Sequence, residues 1–275
     1  MSHMFEGCTS VTTLETDLLD TSNVVDMSYM FSGCESLTYL NFEKLNTKNV
    51  QNMAGMFKDC ISLIDIDLSN FDTSKVTDLS HMFDNCNHVR QLDLSKFNTE
   101  NVRNMSNLFY FCVSLESLKI SNFNTKEVRD MSNMFSYCRY ITKFDIDNFD
   151  TSKVEDMAGM FDFCPSITSL NLKNFNTINV KNMSSLFREC QSLSELDLSE
   201  FKTANVEDMS RMFTDCTSLR SVDVSKFDTG KVKNMAEMFS GCTSVEELDV
   251  TKFDTSKVTN TSKMFQFMNK LNKLD

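Results

Sequence analysis

The sequence predicts an α/β repeat protein built as one solenoid, and three observations carry that expectation. Ten cysteines recur at every twenty-sixth residue, from Cys8, Cys34 and Cys60 to Cys242, and Met268 stands one step further along. Columns of Thr, Val and Phe run in the same register, with no insertion or deletion. Hydrophobic residues make up 41% of the chain, enough for a continuous core and too many for wholesale disorder. A fixed period of this length marks a stack of modules that each bury their apolar side against their neighbours. A single solenoid over residues 1–275 is therefore expected, with no second domain and with both ends falling inside a unit.

The unit is read most easily from residues 71–96, FDTSKVTDLSHMFDNCNHVRQLDLSK, with Phe71 as position 1. Position 3 is Thr from Thr21 to Thr255, position 6 is Val from Val24 to Val258, and position 13 is Phe from Phe31 to Phe265, with Phe5 before them. Position 8 is Asp or Asn in every unit, as in Asp78 and Asn104. Positions 9, 12, 13 and 16, here Leu79, Met82, Phe83 and Cys86, have the i, i+3, i+4, i+7 spacing of one helical face. Asp78 stands where an N-cap would. The spacing predicts a helix of about two turns, held only by its neighbours. Positions 19, 22 and 24, as in Val89, Leu92 and Leu94, predict a short strand with one buried face. Frequent Ser at position 25 and Asp or Asn at position 2 mark the turn that follows, with Lys202 the one departure at position 2. Strands about 4.8 Å apart on one side and helices about 8–10 Å apart on the other would bend the stack, strands inward.

These segments carry a resemblance. C-x-x-L-x-x-L-x-L, a hydrophobic turn and M-F-x-x-C together resemble the BspA-like, or treponemal, class of leucine-rich repeats. The stretch from Ile66 to Phe83, IDLSNFDTSKVTDLSHMF, is similar to the mycoplasma-type repeats of bacterial surface proteins. The resemblance covers the whole chain. It implies a right-handed, curved leucine-rich-repeat solenoid of ten 26-residue units, with short strands on the concave side and short helices on the convex side. It also implies protein binding or cell adhesion with no catalysis, a host, matrix or microbial protein as partner, and a cell-surface or secreted location. No signal peptide is visible, and Met1–Met4 reads either as a tag scar or as part of the repeat. The alternative to adhesion is a structural protein that self-associates through uncapped ends.

Charge and motif content narrow the chemistry. With 27 Lys and Arg against 39 Asp and Glu, the net charge is −12, which disfavours nucleic acid and anionic membranes as partners. No apolar run is long enough for a membrane span. The cysteines form no C-x-x-C pair, so no metal or other cofactor is expected, and they share the Met/Phe face as small buried hydrophobes. Helices at their usual spacing would also hold adjacent cysteines too far apart for disulfides. The Thr column is expected to bond backbone rather than form an ice-binding face, and the Ser-rich position 18 likewise. His81, Asp84, Cys86 and His88 are the one cluster that suggests catalysis or metal binding, but positions 11 and 18 point the two histidines apart. No catalytic residues are expected.

The candidate partner-binding residues lie on the exposed strand positions. Position 23 is mainly acidic, with Asp67, Asp93, Asp145, Asp197, Asp223 and Asp249, interrupted by Asn41, Lys119 and Asn171. Position 21 varies most and supplies Tyr39, Gln91, Lys143, Glu195 and Glu247. Stacked like charges are costly, so the acidic column is either a solvated face or an electrostatic surface for a basic partner. Tyr39, near Phe42, is a candidate apolar anchor.

Overall fold

The computed structural model describes all of residues 1–275. Each unit is one coil of a stack, bonded to the units before and after it. Six short strands are regular: β1 (Thr13–Glu15), β2 (Tyr39–Asn41), β3 (Gln91–Asp93), β4 (Ser117–Lys119), β5 (Glu247–Leu248) and β6 (Lys273–Leu274). They pair in parallel as β1 with β2, β3 with β4 and β5 with β6, in registers such as Leu14 to Leu40 and Leu92 to Leu118. Their central leucines face inward while the flanking residues are mostly exposed, the alternation read from positions 21 to 23. Equivalent stretches such as Asp65–Asp67 and Glu195–Asp197 lie outside regular ladder pairing.

A second line of parallel bridges runs through position 8, from Asp26 and Asn52 to Asn234 and Asn260. Beyond it the expected helices do not form. Residues at positions 11 and 15 take positive φ, as His81 (57°) and Asn85 (62°) do, which no right-handed helix permits. The amides of Leu79, His81, Phe83 and Asn85 leave their own unit and donate to Asn104, Ser106, Leu108 and Tyr110 of the next. Within the unit the bonds span three residues, Met82 to Leu79, Asp84 to His81 and Cys86 to Phe83. The segment is a run of overlapping turns, of which those with positive φ at the third residue have the type II form. Such turns also bring positions 9, 12, 13 and 16 to the inner side, so the apolar spacing fits a helix and this coil equally well. Asp78 still closes its segment, since its Oδ1 accepts from the Ser80 amide at 2.8 Å, but it starts a turn and not a helix.

The absence of helices changes the spacing argument. Phe rings at position 13 stack face to face from Phe5 to Phe265, with neighbouring centroids such as Phe57 and Phe83 at 5.8 Å and Phe161 and Phe187 at 5.9 Å. Both sides of the coil therefore repeat at nearly strand spacing, and the mismatch that was expected to bend the stack is removed. Adjacent cysteines are likewise not held apart by helix packing, because the helices are absent. All ten cysteines are nevertheless free, and Cys34 to Cys242 are buried in one row. Each of these nine donates its S–H to the position-13 carbonyl of the preceding unit, as Cys60 does to Phe31 at 3.1 Å and Cys216 to Phe187 at 3.0 Å.

One core cluster of 76 buried residues runs the length of the chain. Val76, Met82 and Phe83 are typical members, each no more than 1% exposed. Each stacked Phe pair contributes about 0.5–1.5 kcal/mol beyond the area it buries. Thr21 to Thr229 are also buried. Their hydroxyls fill a gap between units where the backbone does not pair with itself: Thr47 Oγ1 donates to the Asp72 carbonyl at 3.1 Å and accepts from the Asp72 amide at 2.8 Å. The serines of position 18 behave differently from expectation. Ser36 and Ser192 bond the preceding unit through their amides, to Thr9 and Pro165, while hydroxyl-to-backbone bonds on this edge come from Thr217 and Thr243 at position 17 and from Thr38 at position 20.

Candidate functional site

The strand side of the stack is where side chains depart from the consensus, and its exposed columns form the candidate site. Of the fourteen residues expected there, only Asn41 is half-buried and the rest are exposed. Five of them gather in one depression of about 330 Å³: Tyr39, Asp67, Gln91, Asp93 and Lys119, with Asp65 beside them. The parallel register brings them together, because β3 and β4 place Asp93 directly opposite Lys119. Lys119 Nζ reaches Asp93 Oδ2 at 2.7 Å, and this bond, with those from Ser95, holds the Asp93 carboxyl well below the usual carboxylate range. Tyr39, 58% exposed, lines the depression.

Position 23 has a structural duty that its acidity obscures. Oδ1 of Asp67, Asp93, Asp197, Asp223 and Asp249 accepts from the amide two residues on, at 2.9–3.0 Å. Asn41 does the same for Glu43 at 2.9 Å. This is an Asx turn, which an amide oxygen makes as well as a carboxylate, and it explains why Asp and Asn alternate here. The bonds to Ser69, Ser199, Ser225 and Thr251 lower the carboxyls of Asp67, Asp197, Asp223 and Asp249. Each keeps a second oxygen for solvent or a partner. The remaining expected residues are spread along the face and do not converge: Lys143 and Asp145, Asn171, whose Nδ2 bonds Asp147 Oδ1 at 2.9 Å, and Glu195.

Glu247 belongs to a second, larger depression of about 810 Å³ toward the C-terminal end. Ser192, Ser218 and Ser244 line it from position 18, and Arg220, Glu246 and Lys270 supply charge. No apolar side chain lines it. Sequence reasoning missed positions 18 and 20 as part of this face, because strand alternation alone does not show that the turn leading into the strand is also open. The chance in sequence to find them was the clustering of Arg220, Glu246 and Lys270 against a Ser column.

The histidine cluster is only partly as expected. His81 Nδ1 lies 2.8 Å from Asp84 Oδ2, so these two do pair. The same oxygen also takes Lys58 Nζ at 2.6 Å, which commits the carboxylate to a cation. His88 is turned away and bonds the Ile61 carbonyl. Cys86 faces the core, where burial raises its thiol well above the ordinary value. Nucleophile, base and carboxylate therefore do not meet in one cleft.

No helix of the chain is long and apolar enough to cross a membrane. No curated protein matches the chain. Among solved structures it is similar to a leucine-rich cell surface protein from Faecalibacterium prausnitzii, at 18% identity and a TM-score of 0.45, covering 96% of this chain and 83% of that one. It is similar also to a leucine-rich repeat protein from Bacteroides ovatus, at 17% identity and a TM-score of 0.39, covering 99% and 76%. A third is the Treponema pallidum leucine-rich repeat protein, at 19% identity and a TM-score of 0.45, covering 66% and 76%. Family-model matches over residues 1–116, 78–194 and 194–274 tile nearly the whole sequence, and the chain accordingly belongs to the family described as Mycoplasma protein of unknown function, DUF285.

Proposed function

We propose that the chain is a non-catalytic, protein-binding repeat module of adhesion type, displayed at a cell surface or secreted, and that it presents its strand face to a partner. The observation that supports this most is the depression at Tyr39, Asp67, Gln91, Asp93 and Lys119, where an exposed aromatic and both signs of charge converge. Aromatic anchors rimmed by charge are the usual hot spots of protein interfaces. The acidic column extends this surface along the stack and favours a basic partner through long-range attraction.

The Asx turns decide how this is tested. Asp93→Asn and Asp197→Asn keep the turn acceptor and remove only the charge, so a loss of binding cannot be blamed on the fold. Binding of the chain to immobilised matrix proteins should be saturable and weaken with salt. Tyr39→Ala should cost about tenfold in affinity, the scale of a single anchor. Binding that is unchanged by Tyr39→Ala, by Lys119→Ala and by both Asn variants would remove the strand face from consideration.

A further inference from the structure

A second feature lies outside the strand face, on the coil of overlapping turns. Position 15 needs a left-handed backbone in every unit, and most units meet that need with Gly, Asp or Asn, as at Gly33, Asp59, Asn85 and Asp215. Phe267 (φ 61°) is an isolated aromatic there, but three consecutive units place bulky aromatics at this position: Phe111 (φ 58°), Tyr137 (φ 63°) and Phe163 (φ 54°). Aromatic residues are poorly suited to this region, and strain of this kind collects where a side chain has a use. The three rings form a continuous, half-buried ridge, with centroids 4.9 Å apart from Phe111 to Tyr137 and 4.6 Å from Tyr137 to Phe163. Tyr110 flanks it at 5.9 Å from both Phe111 and Tyr137.

One cation sits on this ridge. The Arg139 guanidinium lies 4.9 Å from the Phe163 ring centroid and 5.9 Å from that of Tyr137. Arg90, Arg129, Arg188 and Arg211 each pair with a carboxylate of a neighbouring unit. Arg139, like the exposed Arg103 and Arg220, enters no ion pair, and of these three it alone lies over aromatic rings. The rings fix its position and leave its donors free. Tyr137 and Phe163 are only 11° from parallel, so stacking covers one face of each, and Arg139 lies over the Phe163 ring. Sugars and bases stack on open faces, whereas ring edges suit aliphatic and aromatic side chains.

We propose that the ridge of Phe111, Tyr137 and Phe163, with Arg139 on it, is a second docking site, and that its occupant is a protein segment carrying a carboxylate beside apolar side chains. The carboxylate meets the free guanidinium in a bidentate pair, and the apolar side chains pack on the rings. This site stands on the coil of turns and does not depend on the strand-face reading.

The test is selection of a displayed random-peptide library on the immobilised full chain, followed by affinity measurements with the selected peptides. Enriched peptides should combine Asp or Glu with aromatic or aliphatic residues. Arg139→Glu should weaken them about tenfold or more, the loss typical of a broken interface charge pair, and should favour versions with Lys in place of the acid. Phe111→Asn, Tyr137→Asn and Phe163→Asn should weaken them as strongly, with the fold kept, since Asn85 already occupies the same position in another unit. If combining the three Asn changes impairs folding, the exposed Arg139→Glu change decides alone. Asp93→Asn, which alters the strand face, should leave the affinity of these selected peptides unaltered, and that separates the two sites. The proposal is overturned if no peptide is enriched, if the selected peptides ignore Arg139→Glu, or if uronic-acid oligosaccharides displace them from the ridge.

Discussion

Thr73 and Asn98, one unit apart, bond reciprocally: the Thr73 hydroxyl donates to the Asn98 carbonyl at 3.0 Å and accepts from the Asn98 amide at 2.8 Å. One side chain thus satisfies two backbone groups that no ladder reaches. Thr99→Val in the same column should destabilise the chain by about 1–3 kcal/mol, the cost of leaving buried polar groups unpaired. Thr99→Ser keeps the hydroxyl and should cost less. Urea unfolding midpoints of the two variants check this, and equal midpoints would contradict it.

Asp162 gives the stack a pH dependence. Burial pushes its carboxyl up to about 6, against the opposing pull of Arg188. Its Oδ1 has no hydrogen-bond partner, although Arg188 Nε stands 3.4 Å away. The folded chain therefore holds this proton more tightly than the unfolded chain, whose carboxyl titrates near the ordinary value of 3.8. Its contribution to stability is fully present below that value and is lost as pH rises through about 6. Asp162→Asn should raise the unfolding midpoint at neutral pH, and the gain should shrink toward pH 4. A gain of equal size at both pH values would contradict the assignment.

The thiols should divide by burial. Burial drives Cys112 and Cys242 up to about 12 and Cys34 up to about 11, so hardly any thiolate exists there at neutral pH. Cys8 alone is half-buried. A thiol reagent should modify Cys8 first in the native chain and reach all ten cysteines only after unfolding. Rapid native labelling of an interior cysteine such as Cys138 would place the row at the surface.

Substitution at position 23 should separate turn from charge. Asp223→Asn keeps the acceptor for the Ser225 amide, while Asp223→Ala removes it. The Ala variant should lose about 0.5–1.5 kcal/mol and the Asn variant less, as an exposed hydrogen bond would give. Equal losses in thermal unfolding would show that the carboxylate acts through charge alone.

Much of this was legible in the sequence. The period fixed the register, and the columns of Phe83, Cys86, Val76 and Leu92 face inward as read. The failure was local. Leu79, Met82, Phe83 and Cys86 fit a helical face, and sequence spacing alone cannot separate that from turns that bury the same positions. The available clue was chemical: Gly33, Gly55, Gly159 and Gly241 recur at positions 11 and 15, mixed with Asn and Asp, and Gly is a poor choice inside a helix. At the candidate site, Tyr39 and Asp93 were readable from strand alternation. Arg220 and Lys270 were marked only by their clustering with Glu246 against a Ser column, because strand alternation does not show how the coil enters the strand.

Both faces described above are spaced by rungs of turns and not by helices, and backbone NMR of the segment from Leu79 to Cys86 tests this most directly. The structure predicts positive φ at His81 and Asn85, with contacts from the Phe57 amide to Met82 of the next unit. A continuous right-handed helix from Leu79 to Cys86, with no such contact between units, would contradict it.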